Sequence, residues 1–344
     1  MNDHTSTNHL LDIKDLEAGF IIDSEYYNAV NGVSMQVKSN TIIGIVGESG
    51  CGKSVLSLSI MQLLPKDNSK IKSGDIVFEG RNLRRFSENE MNALRGKEIS
   101  MIFQEPMTSL NPVFTIGYQM KEVFMNHEKV SKKDLETRCI QLLKKVGIAR
   151  AEEVMKEYPY QLSGGMRQRV MIAIAIACKP KLLIADEPTT ALDVTVQAQI
   201  LQLLKDLQTK SKMSILFITH DLGVVAKMCD EVVVMYGGQI VERATVDQLF
   251  YNPKHPYTVL LLDAMPSLTK EVEVLPTIKG IVPSLQNMPL QGCRFASRCP
   301  KALSMCTTMT PTLSKVERAH EVACLLYEEK GPRSEVTTNE SHRK

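Results

Sequence analysis

Residues 47–54 read GESGCGKS, which has the spacing of a phosphate-binding loop, G-x-x-x-x-G-K-S/T. The run lies between residues 41–46, an apolar segment predicted as a buried strand, and a segment predicted as a helix. Glycines let backbone N–H groups curl around phosphate oxygens, while the lysine reaches the β- and γ-phosphates and the serine hydroxyl binds Mg²⁺. The alternative is a glycine-rich turn that only connects strand to helix, and the strand, spacing, lysine and serine together disfavour it. The residues predicted to bind nucleotide here are Gly47, Gly50, Gly52, Lys53 and Ser54.

Asp186 and Glu187 follow a second apolar segment, residues 181–185, which also predicts a buried strand. Acidic residues are common at strand ends, so the pair alone indicates little. In a chain with a phosphate loop further upstream, the carboxylate of Asp186 is expected to hold Mg²⁺, directly or through water. The carboxylate of Glu187 is expected to polarise the attacking water. The two motifs together predict an enzyme that hydrolyses a nucleoside triphosphate.

Residues 162–168, LSGGMRQ, place a serine and two glycines at the predicted start of a helix. Such a start forms a second anion-binding surface, which the lysine loop of the same chain cannot complete. With this motif the sequence resembles the ABC ATPase family. The resemblance implies that Ser163, Gly164 and Gly165 close over the γ-phosphate of an ATP molecule held by a facing subunit. An ordinary serine-capped helix is the alternative, and the family's spacing to the acidic pair disfavours it.

The resemblance implies roles for further residues of this sequence. Gln104 corresponds to a glutamine that senses Mg²⁺ and contacts the membrane domains, and Asp193 belongs to a loop that crosses the dimer interface. His220 corresponds to a histidine that contacts the γ-phosphate. One aromatic side chain before the core strands is expected to stack on adenine. Phe20 is assigned to this position, and the alternatives for it are Tyr26 and Tyr27.

Two segments look like those of oligopeptide and dipeptide importer ATPases, a group that also includes nickel importers: residues 104–112, QEPMTSLNP, and residues 252–258, NPKHPYT. The resemblance implies an ATP-hydrolysing subunit that powers import of di- and oligopeptides, with nickel or another small solute as the alternative cargo. It also implies a second, related ABC ATPase in a head-to-tail dimer, two membrane permeases near Gln104 and an extracellular solute-binding protein. A soluble ABC protein of ribosomes or DNA repair is less favoured, because such proteins carry two fused cassettes or a coiled-coil insertion.

Four cysteines are concentrated in the last fifth of the chain: Cys293, Cys299, Cys306 and Cys324. Four thiolates could hold zinc or an iron–sulfur cluster, and the lack of Cys-x2-Cys pairs disfavours zinc. Similar C-terminal cysteines in peptide-importer ATPases carry a 4Fe–4S cluster, so the resemblance implies one here. The remaining alternative is four free cysteines that are simply buried. Disulfides are least favoured in a reducing compartment.

The composition sets limits on the class of protein. The net charge of +2 over 344 residues argues against a nucleic-acid partner bound by bulk electrostatics. No apolar run is long enough to span a bilayer, and the N-terminus lacks the features of a secretory signal. We therefore expect a cytosolic protein that partners hold at the cytoplasmic face of the cell membrane.

The elements that must position these residues form an α/β pattern of short apolar runs alternating with amphipathic segments. The run 214–219 predicts a third buried strand, and residues 54–64, 165–178 and 196–210 are predicted as helices. With the resemblance, residues 10–250 are predicted as a P-loop NTPase of the ABC-type nucleotide-binding kind, with a helical subdomain at about residues 116–165. Prolines become frequent after residue 250, which predicts a small C-terminal lobe over residues 251–327 that carries the four cysteines. The polar residues 328–344 are predicted to form a disordered tail.

Overall fold

The computed structural model describes residues 9–104, 109–190, 192–265 and 277–328. Its strands are β1 (His9–Ile22), β2 (Glu25–Lys38), β3 (Ile42–Val46), β4 (Ser69–Phe78), β5 (Arg81–Asn82), β6 (Ile99–Ile102), β7 (Leu182–Asp186), β8 (Ser214–Ile218), β9 (Glu231–Tyr236), β10 (Gln239–Thr245), β11 (Ser314–Glu317) and β12 (His320–Val322). Its helices are α1 (Lys53–Ile60), α2 (Glu88–Leu94), α3 (Ile116–His127), α4 (Lys132–Lys145), α5 (Ala151–Val154), α6 (Gly164–Ala175), α7 (Val194–Ser211), α8 (Leu222–Met228), α9 (Val246–Tyr251) and α10 (Pro256–Asp263). The architecture is α/β, as the sequence predicts.

The central sheet has the strand order β11-β12-β10-β9-β3-β8-β7-β6. Strands β9, β3, β8, β7 and β6 are parallel neighbours, whereas β10, β12 and β11 continue the sheet in antiparallel pairing. Every residue of β3, β7 and β8 is buried, because helices or the second sheet cover both faces. Continuous apolar runs therefore predicted these three strands correctly, to within one residue at each end.

The parallel strands bring their carboxyl ends to one edge of the sheet, where ligands of open α/β sheets bind. The phosphate loop follows β3, and Gln104 lies two residues after β6. Asp186 is the last residue of β7, because it pairs with Ile218 of β8 and is 3% exposed. The sequence had predicted that it lies one residue beyond the strand. His220 lies two residues after β8. The strand order therefore brings the phosphate loop, Gln104, Asp186 and His220 to the same edge of the sheet.

A second, antiparallel sheet has the order β2-β1-β4-β5. The turn between β1 and β2 uses positive φ angles at Asp23 (50°) and Ser24 (68°), the combination that a tight type I′ hairpin requires. Helix α1 lies between the two sheets, and its apolar side chains share one core with both. Members of this core include Leu16, Val33, Ile45, Leu56 and Ile60. The helix that follows the phosphate loop is therefore held from two sides.

The described chain between β6 and β7 is helical. Helices α3 to α6 share a second apolar core with α7 and the other face of the central sheet. Helix α6 was predicted over residues 165–178 but runs from Gly164 to Ala175, where its C-cap residue Ile176 leaves the helical conformation with a ψ of 4°. Helices α1 and α7 likewise differ from their predicted bounds of 54–64 and 196–210 at their ends. No helix of the described part is long and apolar enough to cross a membrane.

The C-terminal lobe packs directly on the central sheet. Its hairpin of β11 and β12 extends the sheet beyond β10, and its Phe295 ring makes edge or tilted contacts with Tyr236 and Tyr257. These aromatic side chains belong to one apolar core with β9 and β10. Residues 105–108 of the QEPMTSLNP segment, residues 266–276 of the predicted lobe and residues 329–344 of the predicted tail lie outside the described residues.

A buried histidine makes the stability of this lobe sensitive to pH. His255 is 1% exposed, and its Nδ1 accepts a hydrogen bond from the Tyr257 N–H at the start of α10 (3.1 Å). Burial lowers the pKa of His255 from 6.5 to about 3. Below pH 6.5 the His255 imidazole therefore binds a proton in the unfolded chain but stays neutral in the folded chain. Stability is fully present above that pH and is lost as the pH falls.

We expect the free energy of unfolding to fall by about 2 kcal/mol between pH 6.5 and roughly pH 5 from this group alone. Urea unfolding at a series of pH values measures the change. His255→Asn keeps a side-chain acceptor at the helix start but does not titrate, so its pH dependence should be shallower by that amount. An identical slope in the two proteins would contradict the assignment.

Candidate active site

The backbone path of the phosphate loop depends on glycine at two positions. Gly52 caps α1 with a φ of 102°, and a Cβ placed there would lie 2.4 Å from the carbonyl oxygen of Ala29. A Cβ on Gly47, whose φ is 152°, would lie 2.2 Å from the carbonyl oxygen of Met235. No side chain fits at these distances, so only glycine allows the loop to pack this closely against the backbone of β2 and β9.

Lys53 is the first residue of α1 and is 6% exposed. Its Nζ donates hydrogen bonds to the carbonyl oxygens of Gly47 (2.8 Å) and Glu48 (3.1 Å). The Lys53 side chain therefore links the end of the loop to its first two residues. Positive charge and the N–H groups at a helix start are thus combined in one small volume, the arrangement that binds phosphate.

Ser54 and Asp186 provide the oxygen ligands that Mg²⁺ prefers. Asp186 Oδ2 accepts a hydrogen bond from Ser57 Oγ (3.3 Å), whereas the buried Oδ1 has no hydrogen-bond partner among the described residues. Burial raises the pKa of the Asp186 carboxyl, and hydrogen bonds from Ser54 and Ser57 oppose that rise. An unpartnered buried carboxylate oxygen beside a serine hydroxyl fits a magnesium ion at this position. Ser57, one helical turn after Ser54, is a contact that the motif did not reveal.

The carboxylate of Glu187 lies close to Gln104 and His220, the two other residues predicted to be catalytic. Its Oε2 accepts hydrogen bonds from Gln104 Nε2 (3.1 Å) and Thr190 Oγ1 (2.9 Å), and its Oε1 lies 3.4 Å from His220 Nδ1. The backbone of Glu187 has a φ of 46°, a conformation that is strained for this residue. The side chain is 14% exposed, so it is held by neighbours yet reachable from solvent.

A cavity of about 420 Å³ beside the phosphate loop is also lined by Gln104 and Glu187, whereas His220 lines a separate, smaller cavity with Gly47 and Glu48. Phe20 lines the cavity, but Tyr26 lies under the Lys70 ammonium (5.1 Å from Nζ to the ring centre) and Tyr27 donates a hydrogen bond to Glu25 (2.7 Å). The sequence reasoning missed a further wall formed by residues 282–285 of the C-terminal lobe. The full lining is Phe20, Ala29, Ser49, Gly50, Gly52, Lys53, Ser54, Val55, Gln104, Glu187, Val282, Pro283, Ser284 and Leu285.

Residues 163–166 of the LSGGMRQ segment line a different cavity. Ser163 caps α6 through a hydrogen bond that its Oγ accepts from the Met166 N–H (3.3 Å), and Asp193 caps α7 in the same way through the Val196 N–H (2.9 Å). Gly164 and Gly165 lie on the same surface. None of the residues that line this cavity lines the one beside Lys53, so the starts of α1 and α6 border two separate cavities.

The four late cysteines are neighbours but are not arranged as metal ligands. Burial, together with the charges of the other three thiols, raises the pKa of Cys324 to about 11, and burial also raises the pKa values of Cys293 and Cys299. The described residues contain no group of three or more His, Cys, Asp or Glu side chains that could hold a metal ion. The described geometry therefore contains no preformed metal site at these four cysteines.

Comparison with protein families gives two matches along the chain. The family described as ABC transporter matches residues 30–190, and the one described as Oligopeptide/dipeptide transporter, C-terminal region, matches residues 241–306. The oligopeptide transport ATP-binding protein AppD of Bacillus subtilis is 54% identical over 322 residues, covering 94% of this chain and 98% of that protein. The chain belongs to the ABC transporter ATP-binding proteins of the oligopeptide/dipeptide type. This ABC ATPase is also similar to the dipeptide transport ATP-binding protein DppD of the same organism, at 46% identity over 93% of this chain and 96% of that protein.

Solved structures agree with the fold of this ABC ATPase. The ATP-binding cassette MJ0796, in a dimeric post-hydrolysis state with ADP and Pi, matches with a TM-score of 0.62 and 25% identity, covering 69% of this chain and 98% of that chain. The cbiO1 protein of Clostridium perfringens matches with a TM-score of 0.61 and 28% identity, covering 71% of this chain and 92% of that one. The family, the fold and the site geometry together identify an ATPase.

Proposed function

We propose that this ABC ATPase powers the import of di- and oligopeptides through a membrane ABC transporter. The observation that carries the proposal is the match of residues 241–306 to the C-terminal region of oligopeptide/dipeptide transporters. Relatives aligned over nearly the whole chain, whose names refer to oligopeptide or dipeptide transport, support the same cargo. Nickel or another small solute is the alternative cargo, and a non-transport ABC protein is the alternative class.

Each residue around the nucleotide cavity has a distinct part in the proposed hydrolysis. Lys53 and the N–H groups of the loop hold the β- and γ-phosphates. Ser54, Asp186 and Gln104 would hold Mg²⁺, which would supply positive charge to neutralise the phosphate oxygens. Glu187 takes a proton from the attacking water, and its contacts with Gln104 and His220 fix the orientation of its carboxylate. His220 contacts the γ-phosphate, and catalysis rests on positioning and electrostatics.

The two separate cavities at the starts of α1 and α6 support a head-to-tail dimer. Ser163, Gly164 and Gly165 line a cavity apart from Lys53, so they are free to meet ATP bound by a second ABC ATPase. Asp193 lies on the same surface and would cross the dimer interface. ATP would then stabilise the closed dimer by binding it more tightly than the open one, and hydrolysis would release it.

An apolar surface near Gln104 supports docking of two membrane permeases. Phe103 is 39% exposed, Val113 69% and Tyr118 54%, and the Tyr118 ring stacks on that of Phe114, which is 40% exposed. Exposed apolar side chains that lie together mark interaction surfaces. Binding there would hold the ATPase at the cytoplasmic face of the membrane and transmit dimer closure to the permeases. A solute-binding protein would act outside the cell, without touching this chain, and no nucleic acid takes part.

The adenine ring is proposed to stack on Phe20. Phe20→Ala should weaken ATP binding about tenfold, because stacking of a base on an aromatic ring contributes roughly 1–3 kcal/mol. Tyr26→Ala is the matched control and should leave the affinity unchanged, since its ring lies against Lys70 and outside the cavity. Titration calorimetry measures both. Weaker binding in the tyrosine variant alone would assign the adenine contact elsewhere.

The 4Fe–4S cluster on Cys293, Cys299, Cys306 and Cys324 stays a prediction from the sequence. Its support is that the four thiols are close enough to influence one another's pKa, although they are not arranged as ligands. Iron and sulfide in equal amounts in protein purified without oxygen, lost on Cys306→Ser, would establish the cluster. Zinc alone would establish the alternative ion, and no metal would mean four free thiols.

The domain division is proposed on similar grounds. Residues 10–250 would form the nucleotide-binding domain with its helical insertion at about 116–165, within which α3, α4 and α5 lie. Residues 251–327 would form the C-terminal lobe, followed by the tail from residue 328. The lobe shares an apolar core with β9 and β10, so it would unfold together with the sheet and not as an independent unit.

The transport role is tested by purifying the chain from its own membranes in mild detergent. The proposal predicts that integral membrane permeases co-purify and that a peptide-loaded binding protein stimulates ATP hydrolysis by the complex. Stimulation by a nickel-loaded binding protein instead would select the alternative cargo. Recovery of ribosomes or DNA-repair proteins without permeases would contradict the transport role altogether.

A further inference from the structure

A two-pronged ion pair joins the C-terminal lobe to the phosphate loop. Arg298 donates from one guanidinium nitrogen to Glu48 Oε2 (2.7 Å) and from the other to Glu48 Oε1 (2.9 Å). The Arg298 side chain is 5% exposed and that of Glu48 is 27% exposed. Glu48 is the second residue of the loop, and Arg298 directly precedes Cys299. A bidentate, largely buried pair of this kind fixes geometry as well as adding attraction.

The same guanidinium holds the segment that forms the C-terminal wall of the nucleotide cavity. Arg298 Nε donates to the carbonyl oxygen of Lys279 (3.0 Å), and a terminal nitrogen donates to that of Gly280 (3.1 Å). Two residues further along the chain begins the stretch 282–285, which lines the cavity together with Phe20 and Lys53. One side chain therefore binds both the phosphate loop and the opposite wall.

A second contact from the lobe reaches the same loop residue. The Glu48 N–H donates to Tyr257 Oη (2.9 Å), and Tyr257 is completely buried. The carboxylate of Glu48 is thus held by Arg298 and its backbone by Tyr257. Both partners come from the C-terminal lobe, so the conformation of the loop at this residue depends on how the lobe is packed.

We propose that Arg298 is a positioning residue for ATP binding: through Glu48 and residues 279–285 it makes the C-terminal lobe part of the nucleotide site. Arg298 does not touch the reacting atoms and acts by holding the loop and the cavity wall at a fixed separation. The proposal rests on the nucleotide site alone and is independent of the cargo. Preorganisation of this kind affects binding more than the chemical step.

The test compares variants of the full-length chain for ATP affinity and for hydrolysis at saturating ATP. Arg298→Gln should raise the Kd for ATP about tenfold and change kcat by less than about twofold. Arg298→Lys should recover part of the affinity, because lysine keeps the positive charge but cannot make the bidentate contact with Glu48. In a Glu48→Gln background, Arg298→Gln should add little, since the two act as one unit. Lys254→Gln is the matched control, because it breaks an ion pair to Glu317 (2.6 Å) within the same lobe.

A lower melting temperature with an unchanged Kd in Arg298→Gln would reduce the residue to a structural role and overturn the proposal. Fully additive effects of Arg298→Gln and Glu48→Gln would also overturn it. Should Arg298→Gln fail to fold, Arg298→Lys and Tyr257→Phe replace it, and unchanged ATP affinity in both would be decisive against the proposal. Because affinity is measured on the purified chain without permeases, a failure of peptide transport leaves this result unaffected.

Discussion

Glu187→Gln is expected to bind ATP with nearly the affinity of the native chain and to lose hydrolysis by about a thousandfold, the typical contribution of a general base. Glutamine has almost the same shape and can still accept the hydrogen bond that Gln104 donates to Glu187. It cannot take a proton from water. The carboxylate lies between Gln104 and His220 and beside the phosphate loop, so its loss removes the base and leaves the binding surfaces intact.

Steady-state hydrolysis and calorimetric ATP binding of the same preparation separate the two effects. Glu98→Gln is a suitable control, because Glu98 pairs with Arg81 (2.7 Å) and does not line the nucleotide cavity. Hydrolysis that continues undiminished in Glu187→Gln would remove Glu187 from its proposed role. Loss of ATP binding in parallel with hydrolysis would assign it to binding instead.

Lys53→Ala is expected to weaken ATP binding about a hundredfold, since each hydrogen bond from a charged group to phosphate contributes roughly 1.5–3 kcal/mol. Lys53 is 6% exposed, and its ammonium donates hydrogen bonds to the carbonyl oxygens of Gly47 and Glu48 in the loop. Its removal takes away the positive charge and leaves these two carbonyl oxygens without their partner. Both consequences oppose the binding of a phosphate chain.

Calorimetry with ATP measures this loss, and the melting temperature shows whether the loop variant is folded. Lys121→Ala removes a lysine that pairs with Glu136 (3.2 Å) in the helical part and should bind ATP normally. ATP affinity of a folded Lys53→Ala chain within about twofold of the native value would mean that the loop binds phosphate without the lysine, contrary to our assignment.

Sequence reasoning could locate a candidate site residue where that residue lies beside its own motif. The runs predicted as strands end at Val46, Ala185 and Thr219, so the residues that follow them were expected at the ends of buried strands. Strand order could not be read from these runs. It is this order, with β7 beside β8, that brings Glu187 within 3.4 Å of His220.

Contacts made by the C-terminal lobe were beyond sequence reasoning. Arg298 and Glu48 are 250 positions apart, and the lobe between residues 277 and 313 contains only short helical turns whose packing no periodicity describes. The wall at residues 282–285 was missed for the same reason. Cysteine spacing likewise suggested a ligand set but could not give the direction of the four thiols, which the described structure does not arrange around a metal.

The most direct test of the central claim is solute uptake by cells that lack this protein, complemented with the native chain or with Glu187→Gln. Labelled dipeptides, longer peptides and Ni²⁺ are measured side by side. The account predicts that the native chain alone restores peptide uptake and that Ni²⁺ uptake is the same in all strains. Restoration of Ni²⁺ uptake alone would contradict the peptide cargo, and peptide uptake restored equally by Glu187→Gln would contradict the motor role.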